Sequence, residues 1–230
     1  MKAKIVLLFI FIALISIHIS YSQFITGYGV KAGATSSNVI FTYSQMGKFE
    51  TDNHYGFTGS FFANFLDSKN FNLQANAGYD KRGYNDIIVR TDEFGNELGT
   101  YHMGWGLNYI TAGVTARLKY PLGKITPYVL AGPNVDFYEG YSYSIPSFSP
   151  LLDNLNNPAL DDFKKVNYSV SLGAGIEFNK LFPYKTLIEF SYLPPINTSI
   201  GAAGFNVKEY SYNLKLGIYF NKDKPKENVK

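Results

Sequence analysis

The chain has 230 residues, 46% of them apolar and 17% aromatic, with 21 basic side chains, 18 acidic ones and no cysteine. That length suits one large domain or one closed barrel, and the missing cysteine excludes a disulfide scaffold, thiolate metal sites, cysteine nucleophiles and a lipidated N-terminal cysteine. The near balance of charge gives no support for nucleic-acid binding.

The first element in chain order is a signal peptide. Lys2 and Lys4 precede the unbroken apolar run from Ile5 to Ile15, and Ser20 and Ser22 provide small residues three and one before a cut between Ser22 and Gln23. The apolar run is too short for a transmembrane helix, which needs about 20 residues. No later segment approaches eighteen consecutive apolar residues, so the mature chain inserts in a membrane by strands or not at all, with residues 23–220 as its barrel domain.

Period-two alternation then predicts eight strands. The first, Phe24 to Thr35, sets Phe24, Tyr28, Val30, Ala32 and Ala34 against Gly27, Gly29, Lys31 and Gly33; a polar connection, Ser36 to Asn53, follows. The second, His54 to Leu66, carries Tyr55, Phe57, Phe61, Ala63 and Phe65 on one face, with Phe62 as the exception on the other. After a turn at Asp67 to Lys69, the third strand alternates Phe71, Leu73, Ala75, Ala77 and Tyr79 with Asn72, Gln74, Asn76, Gly78 and Asp80. The connection Lys81 to His102 contains a small hairpin turning at Phe94-Gly95-Asn96, expected to project beyond the barrel.

Strand four, Gly104 to Tyr120, opposes Ile110, Ala112, Val114, Ala116 and Leu118 to Tyr109, Thr111, Thr115, Arg117 and Lys119. Strand five, Ile125 to Tyr138, contains Pro127 and Pro133, which predict a bulge because a closed barrel has no edge to hold them. A long connection, Glu139 to Val166, includes Leu151, Leu152, Leu155, Leu160 and Phe163, too apolar for an idle loop, and one helical turn around Ala159 to Lys164. Strands six (Asn167 to Asn179), seven (Tyr184 to Leu193) and eight (Glu209 to Phe220) complete the set, and a short tail, residues 221–230, reads as disordered.

Long and short connections alternate along the chain, and the last strand spans roughly 40 Å at about 3.3 Å per residue. Both features match an all-β, eight-stranded, antiparallel up-and-down transmembrane barrel of a bacterial outer membrane, with short periplasmic turns and longer outer loops. A soluble lipocalin-like barrel needs the opposite polarity, because here the continuous apolar face lies opposite the charges. That polar face carries Lys31, Arg117, Lys119, Lys185 and Lys215 with Asp80, Asp136, Glu177, Glu189 and Glu209. The interior of an eight-stranded barrel is just wide enough for its own side chains, so these groups are expected to pair and plug it, with Lys215 facing Glu177 or Glu189. Two aromatic girdles are expected, Phe65, Phe71, Tyr120, Phe178, Tyr184 and Phe220 beside the short turns, and Tyr79, Trp105, Phe137, Tyr168, Tyr192 and Tyr210 beside the long loops.

The segments GVKAG, NLQANAGYDKRGY, LNYITAGVTARLKY, PYVLAGPNVDF, LGAGIEF and LKLGIYF resemble the PorT-like outer-membrane β-barrel proteins over essentially the whole mature chain. The resemblance implies a cell outer membrane location, contact with outer-membrane lipid, and insertion by the barrel-assembly machinery, whose C-terminal aromatic signal would fall on Phe220. It brings no catalytic motif and no cofactor. The named member is linked to a secretion system, so a secretion-system or surface protein partner is one reading; a non-enzymatic barrel whose outer loops bind is the other. A barrel-embedded hydrolase would need His54 or His102 beside Ser60, Asp52 or Asp80.

Overall fold

The computed structural model describes residues 25–45, 47–144, 164–179, 184–202 and 205–220. The signal peptide, the tail, the apolar residues Leu151 to Phe163 and nearly all of the expected helical turn lie outside them; of that turn only Lys164 is described, and it is not helical. Among the described residues ten strands form one sheet: β1 (Ile25–Tyr43), β2 (Gly47–Glu50), β3 (Asp52–Phe65), β4 (Phe71–Thr91), β5 (Glu97–Lys119), β6 (Ile125–Ser144), β7 (Val166–Phe178), β8 (Thr186–Leu193), β9 (Ile200–Ala202) and β10 (Phe205–Tyr219).

The ring runs antiparallel in the order β1-β3-β4-β5-β6-β7-β8-β10, and β1 closes it on β10 from Gly29↔Tyr219 to Tyr43↔Phe205. Eight strands make the barrel wall. The other two, β2 and β9, are short outer extensions paired to β1 and β10. Close approach at the closing seam depends on glycine, since a Cβ on Gly33 would sit 1.9 Å from the Leu214 carbonyl oxygen.

Several strands run further outward than the hydrophobic alternation suggests. The expected polar connection after Thr35 is strand through Tyr43, and Thr51 links β2 to β3 by donating its amide to the Val39 oxygen at 3.1 Å. The hairpin at Phe94-Gly95-Asn96 exists, but it is the continuous end of β4 and β5, paired without a break from Phe71↔Leu118 to Arg90↔Gly99. Its tip is an Asp92-centred turn. Asp92 Oδ1 accepts from the Phe94 and Asn96 amides at 2.9 and 2.8 Å, and Gly95 takes φ +82°.

The expected bulge at the prolines is not there. Between Gly113↔Asn134 and Ala116↔Ala131 the β5–β6 ladder skips the residues facing Gly132 and Pro133, then resumes in the same register, because proline lacks only its own N–H. The bulge lies instead at Glu139, left unopposed between Asn108↔Gly140 and Tyr109↔Tyr138.

The wall is apolar outside and polar inside. Leu214, Leu216 and Ile218 are exposed on β10, while Ser211, Asn213 and Tyr219 of the opposite parity are buried. Trp105, expected in the outer girdle, is buried instead with Val39, Tyr84, Met103, Leu107, Tyr109 and Val207 in an apolar cluster at the outer end of the lumen. It shares the inward parity of Tyr109 and Arg117.

Candidate functional site

The lumen is the site that the sequence singles out, and it is organised in layers. Nearest the short turns, Phe62, Leu187 and Tyr219 form a small buried apolar cluster, with the Phe62 and Tyr219 rings edge-to-face at 4.9 Å. Tyr219 donates its hydroxyl to Glu177 Oε1 at 2.6 Å and accepts from Arg117 Nη1 at 3.1 Å. Glu177 also holds Lys185 Nζ at 2.6 Å and Arg117 Nη2 at 2.8 Å. The Nη2 contact is poorly angled for a hydrogen bond, so that pairing is mainly coulombic. The Arg117 guanidinium carbon sits over the Tyr128 ring, 3.7 Å from its centroid, and the side chain is fully buried.

One layer further out, Lys31 Nζ meets both Glu189 oxygens at 2.8 and 2.7 Å and Gln74 Oε1 at 2.6 Å. Tyr128 donates to the same carboxylate at 3.0 Å. Lys215 lies opposite Glu189 in the β10–β8 register, but Lys31 occupies that carboxylate; among the described residues Lys215 makes no ion pair. It faces a polar cavity of about 30 Å³, lined also by Asp80, Arg82, Asp136, Ser191 and Asn134. That volume admits roughly two waters.

The third charged layer turns on Arg82, which the sequence reading left in a connection. Its Nε is 2.8 Å from Asp80 Oδ2 and its Nη1 3.0 Å from Asp136 Oδ2. Thr35 donates to Asp80 at 2.8 Å and Ser169 to Asp136 at 3.0 Å. Glu209 accepts from the Tyr109 hydroxyl at 2.6 Å, and its Oε1 is buried without a hydrogen-bond partner among the described residues. The alternation held the signal for Arg82, since Asp80, Arg82 and Tyr84 continue the inward parity of Gln74 and Gly78.

Of the ten charges expected inside, Lys119 is the outlier: it pairs at the rim with Asp67 of the β3–β4 turn. The charge is unevenly spread along the axis. Lys31, Arg117 and Lys185 share Glu177 and Glu189 in the inner layers, Lys215 stands between them and the outer aspartates, and Arg82 faces Asp80 and Asp136 in the outer layer. Phe220 stands at the inner rim, its amide bonded to the Tyr28 carbonyl at 2.9 Å and its ring 6.0 Å from that of Tyr28.

The hydrolase constellation is not assembled. His54 Nδ1 is 3.3 Å from Asn85 Oδ1, Asp80 is committed to Thr35 and Arg82, and among the described residues no hydrogen bond joins either histidine to Ser60, Asp52 or Asp80.

The family model described as outer membrane protein beta-barrel domain matches residues 22–201. No curated protein matches the chain. Among solved structures, Ail, the attachment invasion locus protein of Yersinia pestis, is 12% identical with a TM-score of 0.40, the alignment covering 84% of this chain and 98% of Ail. Neisserial surface protein A is 12% identical with a TM-score of 0.39, over 84% of this chain and 97% of its own. Outer membrane protein W of E. coli is 9% identical with a TM-score of 0.41, over 86% and 100%.

Proposed function

The chain belongs to the outer membrane protein beta-barrel domain family, and from that premise we propose that it is a sealed, non-enzymatic barrel whose binding role is carried by the strands and loops at its outer end. It resides in the cell outer membrane. The observation that carries the sealed reading is the continuous side-chain packing across the lumen, from Phe62, Leu187 and Tyr219 through the Arg117–Glu177 and Lys31–Glu189 pairs to Arg82 with its two aspartates. Among the described residues, two polar cavities along the lumen measure about 30 and 10 Å³. A column packed in this way passes no solute, so any recognition falls to the exposed end, where rigid strands present loops.

The reading is tested by reconstituting the protein in planar bilayers and recording single-channel current. The expected record is flat; steady, reproducible conductance steps would overturn it.

The PorT-like resemblance favours a second reading, an accessory component of an outer-membrane secretion apparatus with a secretion-system or surface protein as partner. Its two most specific segments, PYVLAGP and LGAGIEF, lie side by side from Pro127↔Ile176 to Ala131↔Leu172 and supply Tyr128 and Glu177 to the lumen. Deleting the gene and measuring secreted protein tests it. Unchanged secretion would remove this reading while leaving the sealed barrel intact.

A further inference from the structure

We propose that the free edge of β4 beyond Asn85 is a homotypic docking edge, on which two copies in facing membranes pair residues 86–90 antiparallel about Ile88. The proposal rests on the reading that recognition lies outside the lumen, and the conductance record that tests that reading is measured separately.

The edge arises where two hairpins part. The β3–β4 ladder ends outward at Asp52↔Asn85, and the chain before it, β2, stays with β1 through Ile40↔Glu50 to Tyr43↔Gly47. From Asp86 to Thr91 the paired neighbour of β4 among the described residues is therefore β5 alone. The amide of Ile87 is bonded to Oδ1 of the preceding Asp86 at 2.8 Å, in place of a neighbouring strand. Backbone groups alternate sides along a strand, so those of Ile87 and Val89 face this edge and those of Asp86 and Ile88 face β5. Ile87 and Val89 are also about half exposed, at 47% and 52%.

Lipid does not cover this segment. Between Tyr79, whose ring lies 5.4 Å from that of Phe57 in the aromatic belt, and Ile87, the positions of the same parity are Lys81, Gly83 and Asn85. That polar interval lifts the edge clear of the apolar band. A row of backbone groups with no strand beside it, flanked by β-branched residues, is the arrangement that captures another strand, and the local bond from the Ile87 amide to Asp86 is exchanged for one to that strand.

The sequence selects a second copy as that strand. An antiparallel two-fold at Ile88 sets Asp86 opposite Arg90 and Ile87 opposite Val89, and each pairing occurs twice, as an isologous interface requires. Ile87 and Val89, whose backbones face outward, become the hydrogen-bonded pairs; Ile88 meets Ile88 in the non-hydrogen-bonded position. Opposite charges and apolar β-branched residues are both favourable cross-strand partners. A foreign peptide would satisfy the same backbone groups but would not need a self-complementary register.

Direction fixes where the second copy sits. β4 runs from the short-turn end at Phe71 outward to Thr91, so a strand antiparallel to it runs toward this membrane, and the barrel it belongs to is inserted in the facing one.

The absence of cysteine makes the test direct. The full chain carrying Ile88→Cys is reconstituted into two separately labelled populations of phospholipid vesicles, which are mixed and mildly oxidised. The non-hydrogen-bonded pair brings Cα atoms to about 4.5 Å, within disulfide reach. Vesicles should cluster and disulfide dimers should join the two labels. Phe94→Cys, on the exposed tip but out of register, should give clustering without cross-linking. Adding Val89→Pro removes an edge amide that the β4–β5 ladder does not use, so the barrel still migrates as folded when unheated, while clustering and cross-linking are lost. The proposal is overturned if Ile88→Cys dimerises no more than Phe94→Cys, if dimers form only within one population, or if clustering survives Val89→Pro.

Discussion

Arg82→Met takes away the cation that Asp80 and Asp136 share, and it does so out of reach of bulk solvent. The side chains of Arg82, Asp80 and Asp136 are 6%, 3% and 2% exposed, so solvent screening offers no discount. Removing one partner of a buried ion pair costs about 3–5 kcal/mol, because the charge left behind is uncompensated. Here two carboxylates are orphaned, while Thr35 and Ser169 retain one hydroxyl donor on each, a partial offset of about 1.5–3 kcal/mol per bond. A net loss of about 3–5 kcal/mol is expected. The triple variant Asp80→Asn, Arg82→Met, Asp136→Asn removes all three charges together, and it should be less destabilised than Arg82→Met alone. Urea unfolding in phospholipid vesicles reads both, with Trp105 as reporter: it is the chain's single tryptophan, buried and stacked 6.4 Å from Tyr84. A loss under about 1 kcal/mol for Arg82→Met, the range of exposed pairs, would refute the reasoning. So would a triple variant as unstable as the single one.

Gly33→Ala places a Cβ against a backbone oxygen that cannot move aside, so the β1–β10 seam should fail to close; loss of the compact band in unheated gels checks it. Asp92 is fully exposed, yet the Asn96 side-chain amide, with backbone amides of Asn96, Phe94 and Gly95, holds its carboxyl below the ordinary carboxylate range. A depressed carboxyl stabilises the turn above its unfolded pKa and loses that contribution as pH falls through the folded one. Amide exchange at Phe94 and Asn96 should therefore accelerate only in acid, and Asp92→Asn should flatten that dependence. Phe220→Ala should slow assembly into vesicles by the barrel-assembly machinery while leaving the urea midpoint of the assembled barrel nearly unchanged. An equal effect on both would reduce Phe220 to a packing residue.

Strand number, polarity and closure were all legible in period-two alternation, because a wall with lipid on one side and a packed lumen on the other imposes that period on every strand. What failed was the reading of where strands end. Above the lipid band the outward positions turn polar, so Lys81 and Asn85 look like loop residues, and Arg82 between them was lost from the site although its parity was inward. Trp105 was misplaced for a related reason: position near a strand end suggested a girdle, but its parity matched Tyr109 and Arg117. Lys215 shows a different limit. Its inward direction followed from alternation, but its lack of an ion pair did not, since alternation carries no information on the register and reach that bring Lys31 to Glu189. Phe62 stands alone in the alternation as an exception on the polar face of its strand, and nothing there ties it to Leu187 and Tyr219. Only their convergence in space makes them a cluster.

The seam between β1 and β10 has a consequence for how the molecule is made. Gly29 and Tyr219 are register partners near opposite ends of the chain, and Lys31 reaches Glu189 across 158 positions. Contacts of such separation must be assembled against a large loop-closure entropy, which makes the transition slow and delays its reward to the final step. Until that step β1 and β10 are both open edges, and the charges of the lumen are turned toward water, where they keep the unfinished sheet soluble. Assembly is then cooperative over the entire ring. A chain cut before β10 is expected to yield not a smaller barrel but an open sheet with two sticky margins.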